Sequence, residues 1–294
     1  MAIEHAPLYV AARRVLLDAL DALAGHRSAV VLAGAQAIYA RTGAAEIDAS
    51  VAPFTSDADL ALDPRLLGPD PRIDEAMTAA GFRLCGEPGI WVTQTLMGDA
   101  TVEIPVDLLV PASLAGPGRR SARLPEHGRN AARRTPGLEA AVADHGVLEI
   151  ASLEPHVDQR VRAVSVAGVP ALFVAKAQKI AERLADARCG RPERLKPKDA
   201  SDVIRLMQGA PPDMVGDRLG AIAHDPVAGA SVREGVEHLR RLFGRRRSPG
   251  VDLAVAALTG AMPELSVREL AVSYVGVLLE AYSTQAPERM TRVT

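Results

Sequence analysis

The chain has few aromatic side chains and almost no net charge. Its 294 residues include four Phe, four Tyr and one Trp. These are too few for a base-stacking nucleic-acid platform or for the aromatic belts of a membrane protein. Lys and Arg total 34 against 36 Asp and Glu, which leaves a formal charge of −2. No global basic field therefore attracts nucleic acid or a membrane surface, and any such partner has to be met by a local patch.

Cysteines and long apolar runs are also scarce. Cys85 and Cys189 stand alone, without a neighbouring Cys/His cluster, which argues against a disulfide scaffold or a structural zinc site. No stretch approaches about 18 uninterrupted apolar residues, and charged residues interrupt the N-terminal segment where a signal peptide would have its apolar core. We expect a cytoplasmic protein without a membrane segment. Its 48% apolar content is enough to bury a substantial core.

Hydrophobic periodicity divides the chain near residue 168. Before that point, runs of strand length are interleaved with helical patterns. Strands are predicted at 28–33, 58–62, 90–96, 101–110, 147–153 and 161–166, and helices at 15–23, directly after Gly34 and at 71–80. After Pro170 the pattern is helical almost to the end, with breaks at 190–197, 209–212, 245–250 and 262–263. The sequence predicts an α/β plus α protein, with domains at 1–168 and 169–294.

Three carboxylates stand out in the first half. Asp57 and Asp59 begin a strand in TSDADLAL, where the period of two turns both side chains to one face. Asp107 lies in the apolar run IPVDLLVP, where an ionised side chain is costly unless it is paired or holds a metal. If the two strands are neighbours, the carboxylates form an oxygen cage for Mg²⁺, with Mn²⁺ as a substitute. The alternatives are an Asp pair in an ordinary turn and a merely acidic surface, which predicts an exposed Asp107.

Gly34 separates the strand at 28–33 from the following helix. A glycine at such a turn lets a triphosphate approach the backbone N–H groups at the helix N-terminus. Two metal ions about 3.5–4 Å apart would then stabilise the attacking and leaving oxygens of an in-line displacement. In this interpretation Asp57 and Asp59 hold both metals. Asp107 holds the second metal and orients or deprotonates the attacking hydroxyl.

The order VVLAGAQAIYARTG, TSDADLAL, IPVDLLVP resembles the DNA polymerase β-type nucleotidyltransferase superfamily over about residues 28–110. The later segments VAKAQKIAERL and KPKDASDVIRL resemble the helical half of its AbiEii-like branch, the toxins of type IV toxin–antitoxin systems. The resemblance implies a mixed sheet flanked by helices, an all-helical C-terminal domain, and transfer of a nucleoside monophosphate from an NTP to a hydroxyl. It also implies nucleotide-contacting roles for Lys176 and Asp199, with Asp202 one turn later.

Two departures from the family pattern concern the phosphate turn. Ala35 stands where the family has a second small residue with a hydroxyl in many members, so Gln36 would have to make that phosphate contact. The gap from Gly34 to Asp57, which includes a loop ending at Pro53, is longer than in the shortest family members. For the acceptor, the resemblance implies tRNA or a partner protein such as a cognate antitoxin as the first choice. An aminoglycoside-type small molecule is the second choice. The competing hypothesis is an inactive nucleotidyltransferase fold that binds nucleotide or a partner.

The basic residues are distributed unevenly. Reading along the chain gives 30 Arg and four Lys, and the lysines (Lys176, Lys179, Lys196, Lys198) fall in one short stretch. Lys176 and Lys179 share a helix face, and we predict that both contact nucleotide phosphates, with Lys176 also catalytic. The alternative is a solvated helix face, which we favour for the other two lysines.

Arginines concentrate in two places. One is the Gly-, Pro- and Arg-rich connection over 111–137, predicted to be mobile, and the other is the run at 240–247. Both are candidates for meeting a polyanionic acceptor such as tRNA. The alternative in each case is a solvated surface.

Overall fold

The computed structural model describes residues 6–43 and 55–285. These residues fall into two compact units that divide between Gly168 and Val169. The first unit is mixed α/β and the second is helical. The predicted loop ending at Pro53 lies outside the described residues.

The described residues of the α/β unit form eight strands and four α-helices. The strands are β1 Val30–Ala33, β2 Ala58–Leu62, β3 Arg83–Leu84, β4 Ile90–Met97, β5 Ala100–Pro111, β6 Arg133–Thr135, β7 His145–Ala151 and β8 Val161–Ala167. The helices are α1 Pro7–Ala22, α2 Gly34–Thr42, α3 Ile73–Ala79 and α4 Glu139–Ala143, with 3₁₀ turns at Ala24–Ala29 and Pro125–His127. The six predicted strands and three predicted helices are confirmed. The short elements β3, β6 and α4 carry too few residues to show a period.

The strands form one mixed sheet in the order β3-β4-β5-β2-β1-β8-β7, with β6 also paired to β5. The pairs β1/β8, β2/β5 and β5/β6 are parallel, whereas β1/β2, β3/β4, β4/β5 and β7/β8 are antiparallel. The central strand β2 therefore lies between β1 and β5. This order brings the predicted phosphate turn after β1 and both predicted acidic strands to the middle of the sheet.

Helix α1 covers this part of the sheet. It packs against β2, β4 and β5, and its predicted apolar stripe from Val15 to Leu23 is buried. Asp21, on the opposite side of the helix, pairs with Arg162. Burial of this stripe stabilises α1, because most of the stability of a helix in a protein comes from packing of its apolar face.

The arginine-rich connection over 111–137 differs from its prediction as a mobile loop. Strand β6 adds to the sheet beside the end of β5, and the 3₁₀ turn Pro125–His127 buries His127. The backbone N–H of Arg134 donates to the oxygen of Arg120 at 2.8 Å, and that of Ala122 donates to Ala132 at 3.0 Å. The segment is thus fixed by backbone hydrogen bonds that composition alone does not reveal.

Six α-helices build the second unit as far as the structure describes it. They are α5 Val169–Arg188, α6 Lys198–Gly209, α7 Pro212–Ile222, α8 Gly229–Phe243, α9 Pro249–Ala257 and α10 Glu264–Gln285. The helical prediction and its four breaks are confirmed, and a fifth break, at 223–228 between α7 and α8, was not predicted. Helix α7 packs closely along α10 because Gly216 has no side chain. A Cβ there would lie 2.4 Å from the backbone oxygen of Leu278.

Within the described part of the chain, no helix is both long enough and apolar enough to span a membrane.

Candidate functional site

Two of the three predicted carboxylates face each other across neighbouring strands. In the parallel pair β2/β5, Asp59 is the register partner of Asp107, and register partners direct their side chains to the same face of a sheet. Both residues are half-buried. The two strands are therefore neighbours, as the metal hypothesis requires. An acidic surface without a function would leave Asp107 exposed, whereas it is half-buried.

Asp57 lies two residues before Asp59, on the segment that leads into β2. Its Oδ1 accepts a hydrogen bond from Thr55 Oγ1 at 2.5 Å. Its backbone oxygen accepts one from Gln36 Nε2 at 3.1 Å. These two contacts fix the segment immediately before the acidic strand.

Gly34 begins α2 and touches the acidic strand. Its φ of 64° lies in the left-handed region, which costs a residue with a Cβ about 1–2 kcal/mol. A Cβ at this position would also lie 1.8 Å from Oδ2 of Asp59. Only glycine allows the carboxylate and the helix N-terminus to approach each other this closely. The preceding Ala33 provides no side-chain cap for the first turn of α2, where backbone N–H groups lack intrahelical partners.

The side chain of Gln36 is committed to the interior. It is 1% exposed. Its Oε1 accepts from Arg13 Nε at 2.8 Å, and its Nε2 donates to the backbone oxygens of Ala12 and Asp57, each at 3.1 Å. Ala35 beside it is also buried. This geometry gives Gln36 a structural task and does not support the predicted phosphate contact by its side chain.

Arg13 is a buried residue that sequence reasoning missed. Besides Gln36 it contacts the hydroxyl of Tyr9 at 2.8 Å and the backbone oxygen of Ala151 at 2.9 Å. The signal was present in the sequence, because Arg13 occupies the same helical stripe as Tyr9 and Leu16. A cation on an apolar stripe needs acceptors, and this one supports the helix that carries the phosphate turn.

A cation already accompanies Asp107. Arg133 of β6 donates from Nη2 to Oδ2 of Asp107 at 2.6 Å, and the two side chains are 26% and 19% exposed. Their separation of 26 residues in sequence hid the pair, and β6 itself was not predicted. The guanidinium neutralises one of the two facing carboxylates.

The donor set suits magnesium chemically, because Asp57, Asp59 and Asp107 offer only carboxylate oxygens. Across residues 6–43 and 55–285, however, no group of three or more His, Cys, Asp or Glu side chains is arranged to hold a metal ion. Arg133 already engages Oδ2 of Asp107, so a metal ion at this carboxylate would share it with the guanidinium. The metal site therefore stays a prediction. Its support is that the three side chains offer the kind of donor atom that Mg²⁺ prefers.

The helical unit brings together Lys176, Asp199 and Asp202. Nζ of Lys176 lies 3.0 Å from Oδ1 of Asp199 and 2.7 Å from Oδ2 of Asp202, and its side chain is 7% exposed. Burial by itself lowers the pKa of Lys176, but the two carboxylates outweigh that effect and raise it above its ordinary value. Lys176 is thus a buried, charged link between α5 and α6.

Further cations surround the same two carboxylates. Arg183 hydrogen-bonds Asp199, Lys179 lies 3.8 Å from that carboxylate, and Lys198 lies 3.3 Å from Asp202. Lys179 and Lys198 are partly exposed, at 41% each. The lysine cluster is therefore a charge network within the helical unit, and the predicted phosphate contacts of Lys176, Lys179 and Asp199 stay predictions.

Three other groups of residues have the following surroundings. Trp91 is buried, and its Nε1 donates to the backbone oxygen of Ala131 at 2.9 Å. In the run at 240–247, Arg240 pairs with Glu237 on the surface. Cys85 and Cys189 are exposed free thiols.

No family model matches the chain, and no curated protein sequence matches it.

Proposed function

We propose that the α/β unit is a metal-dependent nucleotidyltransferase. The observation that carries this proposal is the pairing of Asp59 with Asp107 on neighbouring parallel strands, directly beside the glycine turn that begins α2. These elements occur in the order that the resemblance to the DNA polymerase β-type superfamily implies. The proposed fold of the unit is accordingly the nucleotidyltransferase fold.

The three carboxylates and the turn that begins α2 have distinct proposed tasks. Asp57 and Asp59 would hold Mg²⁺ or Mn²⁺, and Asp107 would help to hold a second ion and orient or deprotonate the acceptor hydroxyl. The N–H groups in the first turn of α2 would bind phosphate oxygens. When bound, the metal supplies charge neutralisation for the phosphoryl oxygens. The products are a nucleoside monophosphate ester of the acceptor and pyrophosphate.

The acceptor is proposed from the resemblance. tRNA or a protein comes first, with the chain acting as the toxin of a toxin–antitoxin pair, and an aminoglycoside-type small molecule is the alternative. Lys176, Lys179 and Asp199 keep their predicted contacts with the nucleotide in this proposal. Turnover of Lys176→Arg tests the first of them, because full activity with the bulkier guanidinium would contradict a specific ammonium–phosphate contact.

The direct test is label transfer. The protein is incubated with Mg²⁺, each of four α-labelled NTPs in turn, and total tRNA or cell protein. We expect label on a macromolecule, and its loss in Asp59→Asn and Asp107→Asn. The matched control is Asp99→Asn, which removes the same charge from an exposed turn at the far end of β5. Transfer by Asp59→Asn at the rate of the control would contradict the proposed site.

The second candidate is an inactive fold that binds nucleotide or a partner protein. Two observations favour it: Arg133 occupies Asp107, and Gln36 and Ala35 offer no side-chain contact to a phosphate. It predicts saturable NTP binding in equilibrium dialysis, without transfer to any acceptor. Transfer that depends on Asp59 excludes this candidate.

A further inference from the structure

An open pocket of about 790 Å³ lies along the arginine-rich segment of the α/β unit. We call it the arginine pocket, and four of its lining residues are arginines: Arg119, Arg120, Arg123 and Arg129. All four are exposed, whereas Ala122 and Leu124 between them are buried. The two apolar residues fasten the segment to the unit, and the guanidinium groups remain accessible to a ligand.

The backbone around the pocket is fixed by hydrogen bonds. Nη1 of Arg134 donates to the backbone oxygen of Gly116 at 2.6 Å. The N–H of Arg134 donates to Arg120, and that of Arg123 donates to Ala115, both at 2.8 Å. The arginines therefore project from an ordered segment, which lowers the entropy that binding has to overcome.

Positive charge in the pocket exceeds the negative charge near it. Arg120 donates to Oε1 of Glu87 at 2.9 Å. Arg119, Arg123 and Arg129 form no ion pair with a carboxylate of the described residues. Glu126 is the one acidic residue within the stretch 117–129. Three guanidinium groups thus surround one concavity without a counter-ion from the described chain.

We propose that the arginine pocket binds a compact polyphosphate: inorganic triphosphate, or the triphosphate tail of a nucleotide. Guanidinium groups match phosphate oxygens in paired hydrogen bonds, and several such groups around one cavity select a ligand with several phosphates. The pocket lies within the usual size range of small-molecule sites, about 300–1,000 Å³. It uses none of the carboxylates of the proposed metal site.

The shape and lining favour this ligand over RNA. No aromatic residue lines the pocket, so bases would find no surface on which to stack. An extended strand also needs a track of cations along its backbone, whereas these arginines surround a concavity. RNA is accordingly an outcome of the test and not the expected ligand.

Trp91 provides the readout. It is the single tryptophan, and its indole N–H donates to Ala131 at 2.9 Å, two residues from Arg129. Metal-free protein is titrated with orthophosphate, pyrophosphate, inorganic triphosphate and ATP while tryptophan fluorescence and, in parallel, heat of binding are followed. We expect saturable binding that tightens with each added phosphate. If ATP and inorganic triphosphate bind with equal affinity, the ligand is a free polyphosphate. If ATP binds more tightly than inorganic triphosphate, the ligand is a nucleotide.

Charge-matched variants separate the pocket from nonspecific attraction. The variant Arg119→Gln/Arg123→Gln/Arg129→Gln should weaken triphosphate binding at least about tenfold. Three exposed arginines of the helical unit outside both arginine-rich stretches carry the control, Arg188→Gln/Arg194→Gln/Arg218→Gln, which should bind as the wild type does. The single variant Arg129→Gln should be weakened to a lesser degree, and serves if the triple variant does not fold.

Several results would overturn the proposal. The first two are the absence of saturable triphosphate binding and equal affinity of the pocket variant and its control. The third is that citrate binds as tightly as triphosphate. The fourth is that a single-stranded RNA binds through these arginines when triphosphate does not. The titration contains no metal, and the arginine pocket shares no residue with the proposed metal site. Failure of the proposed transferase activity would therefore leave this result unchanged.

Discussion

Replacement of Lys176 by Met removes the cation at the centre of the buried network between α5 and α6. The ammonium lies 3.0 and 2.7 Å from the carboxylates of Asp199 and Asp202, whose side chains are 7% and 3% exposed. Methionine keeps a flexible stem of similar length and carries no charge. The variant therefore leaves two carboxylates side by side in the interior, with their central counter-ion gone.

The expected cost follows from that burial. Removing one partner of a buried ion pair destabilises a protein by about 3–5 kcal/mol, because the other charge stays buried without compensation. Arg183 still contacts Asp199, and Lys198 still lies 3.3 Å from Asp202. We therefore expect the low end of the range, about 3 kcal/mol at neutral pH.

Asp199 gives this loss a pH dependence. Burial by itself raises the pKa of Asp199, but Lys176, Lys179 and Arg183 outweigh it and lower that pKa to about 2 from an ordinary 3.8. Because the folded-state value is the lower one, Asp199 stabilises the fold above about pH 4 and loses that contribution as the pH falls through about 2. The shift corresponds to about 2 kcal/mol. The difference in stability between wild type and Lys176→Met should narrow over the same interval.

Urea unfolding followed by far-UV circular dichroism measures the change in the helices, and the fluorescence of Trp91 reports on the α/β unit. Lys179→Met is the matched control, since its side chain is 41% exposed and 3.8 Å from Asp199. An exposed pair at that distance contributes about 0–1 kcal/mol. A second variant, Lys176→Met with Asp199→Asn and Asp202→Asn, should recover part of the loss. Equal stability of the two lysine variants, or a loss that does not change with pH, would refute the reasoning.

Three further predictions concern the α/β unit. Gly34→Ala should unfold more readily than Gly98→Ala, because both glycines have positive φ but only Gly34 lies against a carboxylate; equal melting temperatures would show that the contact with Asp59 is unimportant. Arg133→Gln should bind Mn²⁺ more tightly than wild type in a metal titration, whereas Arg129→Gln, with the same charge change, should not. Burial, and in second place the neighbouring His26, lower the pKa of His127, so the contribution of His127 to stability falls as the pH drops below about 6.5; His127→Phe should flatten thermal stability between about pH 7 and 5.

The long elements were predictable from sequence because burial imposes a period on them. Helix α1 shows its apolar stripe, and β2 and β5 appear as apolar runs interrupted by aspartates. Strand β6 has three residues, all partly exposed, and three residues cannot show a period. Its position is set by long-range pairing with β5, which the local sequence does not reveal. The Gly-, Pro- and Arg-rich composition around it therefore suggested a loop.

The carboxylates on β2 and β5 were predictable in part, for a different reason. A carboxylate within an apolar strand is costly, so Asp107 stood out without any knowledge of its neighbour. The cation that compensates it could not be identified, since Arg133 is one of many arginines and its partner is set by the path of the chain between β5 and β6. Lys176 shows the same limit in the helical unit. Its rarity drew attention to it, whereas its two carboxylate partners emerge only from the packing of α5 against α6.

Arg133 is where the two candidate functions diverge. Asp59 and Asp107 face each other across two strands, and like charges so placed destabilise a sheet unless a cation lies between or beside them. The described chain supplies that cation as a guanidinium 2.6 Å from Asp107. A binding module can keep it there permanently. In a transferase the guanidinium competes with a metal ion for the charge of Asp107, so Arg133→Gln should raise metal affinity in the enzyme and should only lower stability in the module.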